Sequence, residues 1–246
     1  MNYFEHIGKY FLMLKHVFRA PQKKKVFRES LFREIEDLGL KSLGIVVFIS
    51  FFVGGVVAIQ TALNIDSPLI PSYLIGFATK RSIILEFAPT FVSIILAGKV
   101  GSFITSSIGT MRVTEQIDAL EVMGINSLNY LILPKVVAAL FFYPLLIMLS
   151  IVVGIIGGYF AGVLTGLFYA KDYIFGIQLE FDPYLLQYAM IKTFVFAFVI
   201  ITVPAYHGYY VKGGALEVGK ASTASVVWTS IVIITLNYYL TQMLLS

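Results

Sequence analysis

The chain has 246 residues, 58% hydrophobic and only 13% charged, roughly half the charge that clothes an ordinary soluble domain. Its outer surface must therefore meet lipid, and no polar stretch is long enough for a separate soluble catalytic or ligand-binding module. Cysteine is absent, which removes disulfide frameworks, cysteine-ligated metal sites and thiol nucleophiles, and the net charge of +4 reads as facing anionic headgroups rather than nucleic acid.

Tyr3, Phe4, Ile7, Tyr10, Phe11, Leu14, Val17 and Phe18 fall at helical spacing, with Glu5, Lys9, Lys15, His16 and Arg19 on the other side. This predicts an amphipathic helix in the membrane interface. A calmodulin-type target helix is the sharper alternative. The segment lacks the compact apolar core and small-residue cleavage site of a signal peptide. Pro21 and Lys23-Lys24-Lys25 break it, and a second mixed stretch, Phe27, Leu31, Ile35 and Leu38 among charged neighbours, leads upward as an elbow through residue 42.

An all-α membrane domain over 43–246 follows. Each span needs roughly 20 apolar residues, which predicts five, over 43–62, 83–108, 131–168, 185–206 and 225–245. The third contains about 33 uncharged positions, about 50 Å of helix. With no polar turn to divide it, it reads as one long tilted helix carrying Pro134 near its start and Pro144 as a kink. Five spans put thirteen Lys and Arg on the N-terminal side and only Lys80, Arg81 and Lys171 on the other. The positive-inside rule then makes the N-terminus cytoplasmic and the C-terminus external.

Glu86, Lys99 and Lys192 sit at membrane depth, where each costs about 2.5–3.5 kcal/mol on insertion scales. Snorkelling accounts for any one of them; together they indicate a substrate cavity or ion pairs between helices. Gly154, Gly158, Gly162 and Gly166 recur every four residues on the third span, a stripe that lets a second helix approach closely, from the same chain or from another subunit.

Between the second and third spans, Val113, Ile117, Leu120 and Gly124 form one face of a short helix in the 110–126 loop, with Glu115, Asp118 and Glu121 on another. It is either a solvated helix or one that docks into a partner's groove. Gly214 to Ala221 nearly spells a phosphate-binding loop, but Ala221 stands where the magnesium-binding hydroxyl belongs and no strand precedes it. Nucleotide binding by this chain is rejected. His6, His16 and His207 are scattered, and no motif supports catalysis or a metal site.

The segments Ala97-Gly-Lys-Val-Gly-Ser102 and Gly109-Thr-Met-Arg-Val-Thr-Glu-Gln-Ile-Asp-Ala-Leu-Glu-Val-Met-Gly124 resemble the signature of the MlaE-type permease family. Lys212 to Val227 is similar to that family's glycine-rich loop before the last span, and Glu86-Phe-Ala-Pro89 to its Glu-x-x-Pro opening of the second span. The resemblance implies a homodimeric permease of the bacterial inner membrane that moves phospholipid between that membrane and a periplasmic MCE-domain protein, serving outer-membrane lipid homeostasis. ATP and magnesium would belong to a separate cytoplasmic ABC ATPase, and a STAS-domain accessory subunit is a further partner of such systems. Carried onto this chain, Arg112, Glu115, Gln116, Asp118, Glu121 and Met123 would couple to the ATPase. Leu85, Glu86, Pro89 and Lys99 would border the lipid pocket. Leu85 and Lys99 stand where family members often have arginine, so a bidentate phosphate contact is lost there. The alternatives are an ion-coupled transporter or channel with Glu86, Lys99 and Lys192 as a charge relay, and a membrane scaffold.

Overall fold

The computed structural model describes residues 3–18, 24–65, 70–180 and 182–245. The break expected at Pro21 and Lys23, with Arg19, lies outside them, as do the side chains of Tyr3 and Phe4. The described residues form helices: α1 (Tyr3–Val17), α2 (Lys24–Asn64), α3 (Tyr73–Val113), α4 (Gln116–Val122), α5 (Ser127–Thr165), α6 (Ala170–Gln178), α7 (Pro183–Tyr209) and α8 (Ala215–Leu245). α2, α3, α5, α7 and α8 are each long and apolar enough to cross a membrane. The chain is a multi-pass membrane protein.

The long third span is a single 39-residue helix, unbroken through Pro134 and Pro144. It ends at Thr165 rather than Phe168. Gly166, at φ +68°, adopts the left-handed conformation that only glycine takes without strain, and its N–H closes on the Gly162 carbonyl at 2.9 Å. Three other expectations need correction. α3 begins at Tyr73, ten residues before Ile83, so Lys80 and Arg81 are helical rather than part of a loop. The segment 215–221, expected as a glycine-rich loop, forms the first turns of α8; good helix formers (Ala215, Leu216, Glu217, Lys220) outweigh Gly219, and the turn is made earlier at Gly213, φ +114°. α6, in the loop after the third span, is not signalled by hydropathy at all.

Among the described residues three π-helical stretches interrupt the ladder: Ile35–Gly39 in α2, and Ile83–Phe91 and Ala97–Gly101 in α3. Each widens the helix by one residue per turn and frees backbone groups, a device concentrated at functional sites.

The chain forms two compact units. The first comprises residues 1–41, 94–142 and 195–239. Here α1 does not lie on lipid alone. Met13 and Val17 are fully buried, His6 Nδ1 hydrogen-bonds the Tyr206 hydroxyl at 2.7 Å, Tyr10 bonds Thr202 at 2.7 Å, and Asn129 donates to the Val17 carbonyl at 2.7 Å. Ile7, Phe11, Leu12 and Phe18 remain exposed, so the apolar face is split between protein and interface. The elbow is fixed by a buried ion pair between Lys135 and Glu34. Thr105 donates to the Pro204 carbonyl at 3.0 Å and pairs with Ser225 at 2.7 Å, tying α3 to α7 and α8.

The second unit comprises residues 42–93, 143–194 and 240–246. α2 and α5 meet backbone to backbone: a Cβ on Gly54 would strike the Gly154 carbonyl, and one on Gly157 the Phe51 carbonyl. Ser50 and Ser150 share a buried hydrogen bond at 2.8 Å across that seam, a contact worth on average about 0.6 kcal/mol between membrane helices. In the glycine stripe, Gly154 packs beside Ile83 and Ser50, Gly158 against the Tyr173 hydroxyl and Gly162 against the Phe168 ring. Those three positions are occupied from within the chain, and Gly166 is the helix stop. α6 crosses the start of α3 through Gly76 and Gly176, each set against the other helix's backbone. Lys80, buried, donates to the Ile177, Leu179 and Glu180 carbonyls at 3.0, 2.7 and 3.0 Å. An ammonium group thus closes the carbonyl end of α6.

Candidate functional site

Two sets of polar residues stand out, one in each unit. The first grows from the π-helical run Ile83–Phe91, which contains Pro89. Proline has no N–H to give to the widened ladder of this run. Beside it, Lys192 Nζ of α7 donates to the Leu85 carbonyl at 3.3 Å. The same ammonium pairs with Glu86 Oε1 at 2.7 Å and stands 4.4 Å from the centre of the Tyr188 ring. Glu86 Oε1 also accepts from the Tyr188 hydroxyl at 3.3 Å and from Thr241 at 3.2 Å, while Oε2 accepts from Thr90 at 3.2 Å.

Burial is uneven across this pair: the Lys192 side chain is 0% exposed and that of Glu86 39%. The lysine therefore acts as an internal counter-charge and the carboxylate keeps an open side, which together make membrane depth tolerable for both. Leu85 contributes its backbone carbonyl, and Pro89, buried, is a position that gives the ladder no N–H. Lys99 belongs to the first unit, where its ammonium donates to the Lys41 carbonyl.

The second set is the loop after α3. Thr114 ends that helix, and Glu115, at φ +60°, takes the left-handed turn that starts α4, an uncommon conformation for a residue with a side chain. Ile117 is fully buried and anchors α4. Arg112 Nη1 donates to Asp118 Oδ1 at 2.7 Å and its guanidinium lies 5.7 Å from the Tyr209 ring centre. Glu121 Oε1 accepts from the Tyr209 hydroxyl at 2.8 Å and from Ser127 Oγ at 2.9 Å, and these two hydroxyls are 2.8 Å apart. Three helices, α4, α5 and α7, thus meet at one carboxylate. The Tyr209 bond, and after it the Ser127 bond, hold Glu121 below the ordinary carboxylate range.

Of the six residues expected to couple to an ATPase, Glu121 is bonded to Tyr209 and Ser127 although its residue is exposed, Arg112 is paired with Asp118, and Glu115, Gln116 and Met123 are exposed. Beside them Val122 is 90% and Met123 65% exposed, an apolar tip that the periodicity argument placed on neither face. Tyr209, Ser127, Tyr188 and Thr241 are missed by sequence reasoning. Each is a hydroxyl in an apolar helix or at its end, a weak signal until the carboxylate it serves is placed beside it.

The family model for "Permease MlaE" matches residues 31–243. A protein of Rickettsia bellii, named a probable ABC transporter permease protein, is 33% identical over 239 residues, 97% of this chain and 92% of its own length. The intermembrane phospholipid transport system permease protein MlaE of Haemophilus influenzae is 28% identical across 99% of this chain and 94% of its own. The protein TRIGALACTOSYLDIACYLGLYCEROL 1 of Arabidopsis thaliana, a chloroplastic protein, is 30% identical across 89% of this chain and 63% of its own.

Proposed function

Since the chain belongs to the MlaE permease family and is the non-catalytic membrane component of an ABC transporter, we propose that it moves phospholipid between a bacterial inner membrane and a periplasmic MCE-domain protein. ATP is hydrolysed by a separate cytoplasmic ATPase, and the chain works as a homodimer with its N-terminus in the cytoplasm. The phospholipid transport named for the Haemophilus influenzae relative supports the substrate class. One observation carries the coupling route: α4 is fastened from inside by Glu121, Tyr209 and Ser127 while its tip at Val122 and Met123 stands free. A helix anchored to two long helices and exposed at its far end suits docking in a groove and passing the partner's movement inward.

In the same reading, Glu86, with its open carboxylate and its buried Lys192, borders the lipid path. Transport requires this residue, and a STAS-domain subunit, where present, adds to the cytoplasmic assembly. The test is co-purification from the native membrane. Val122→Asp with Met123→Asp, and separately Glu115→Lys with Asp118→Lys, are expected to abolish recovery of the ATPase while membrane insertion stays normal. Undiminished ATPase recovery with both pairs overturns the coupling assignment.

A further inference from the structure

Lys99 borders a cavity of the first unit. Asp37, Leu38 and Lys41 of α2 and Lys99, Val100 and Phe103 of α3 line a cavity of about 280 Å3 within the first unit. Two of the three π-helical stretches, Ile35–Gly39 and Ala97–Gly101, border it from opposite helices. Their convergence on one cavity is the pattern expected where a widened turn serves a ligand rather than packing. Lys99 is held over the cavity by its bond to the Lys41 carbonyl, and Lys41 is braced by Asp37 at 2.5 Å. Leu38 and Val100 are buried and give an apolar floor, and Phe103, 47% exposed, stands at the mouth. Next to Lys99, a Cβ on Gly98 would meet nothing within 4 Å, so packing inside this chain does not require that glycine.

We propose that this cavity binds the phosphodiester headgroup of an anionic phospholipid of the cytoplasmic leaflet, a site separate from the Glu86 constellation and from the transport path. Two ammonium groups and one lining carboxylate leave a single positive charge, which matches one phosphodiester. Glu36 shares the π turn but is outside the lining. The floor and Phe103 suit the first methylenes of an acyl chain. Lysine pairs at the cytoplasmic surface attract anionic headgroups, and lysine supplies a point charge where arginine would chelate.

The experiment is native mass spectrometry of the purified full chain in detergent with phosphatidylglycerol as the probe. Lys41→Gln and Lys99→Gln are each expected to lower lipid adducts about fivefold, the effect of about one charge contact at a membrane surface. Lys41→Arg and Lys99→Arg retain them. Phe103→Glu, at the exposed mouth, gives the same loss in a variant whose helix packing is untouched. Unchanged adducts in the Gln variants and in Phe103→Glu overturn the proposal. Displacement of adducts by millimolar inorganic phosphate also overturns it, assigning the site to free phosphate. Glu86→Gln separates this inference from the transport reading: adducts are expected to persist in it, and their loss there with retention in the lysine variants places the lipid at Glu86 instead.

Discussion

Glu86 and Lys192 do not share their interaction evenly. The lysine is fully enclosed, whereas the carboxylate has an open side through which water or a headgroup reaches it. Removing the carboxylate strands a buried cation; removing the lysine leaves an anion that can hydrate. Glu86→Gln is therefore expected to lower thermal stability in detergent more than Lys192→Met, toward the low end of the about 3–5 kcal/mol for breaking a buried pair. The double variant should recover part of the loss, and equal effects of the two single variants would refute the asymmetry. At Glu121 the sign follows from its depressed pKa. Its stabilisation of the loop is complete above the unfolded carboxylate value near 4.5 and is lost as pH falls through the lower folded value. Hydrogen-exchange protection over residues 119–124, taken relative to the intrinsic rate at each pH, should therefore fall on acidification below about pH 4.5. Tyr209→Phe brings the folded value back towards the unfolded one and should shrink that fall; a fall of unchanged size would show that the hydroxyl does not hold the carboxylate.

Among elements, the contrast between two glycines on helices is testable. A Cβ on Gly176 would strike the Tyr73 carbonyl, whereas one on Gly219 meets nothing within 4 Å. Gly176→Ala should cost about 1–3 kcal/mol of overpacking and separate α6 from α3. Gly219→Ala should gain about 0.5–1 kcal/mol from helix propensity. Melting temperatures of the two variants check both, and a neutral Gly176→Ala would contradict the close crossing. The same crossing shows what hydropathy cannot reveal. The five long helices are legible because twenty apolar residues in lipid have few alternatives to a helix. The first ten residues of α3 and all of α6 are not: Thr79, Lys80 and Arg81 interrupt the apolar run, and what holds these turns is a lysine on three carbonyls and two glycines on two backbones. Ionisable residues at membrane depth announce Glu86 and Lys192 singly. Their pairing, and the bond of Lys99 to Lys41, are tertiary facts with no fixed spacing. The closure of Arg112 on Asp118, six residues away, likewise falls outside the three- and four-residue spacing that helix periodicity detects.

At the scale of the whole molecule, the five long helices and the thirteen-to-three distribution of Lys and Arg predict that the two termini lie on opposite sides of the membrane. A periplasm-dependent phosphatase fused after Ser246 should be active and the same reporter fused before Met1 inactive. Activity from the N-terminal fusion, or equal activity from both, would overturn the five-span orientation.

Pro89 withholds an N–H from the widened run Ile83–Phe91, and Lys192, a hundred residues downstream, brings its ammonium to the Leu85 carbonyl of the same run. The two positions are in this respect a single heritable unit. A residue with an N–H at 89 lets the run tighten to an ordinary α-helix, in which that N–H takes the Leu85 carbonyl and withdraws one of the acceptors that make a cation at 192 bearable. In a library randomised at both positions and selected for function, proline at 89 should survive chiefly with a cation at 192. Lineages that lose one should be relieved by losing the other.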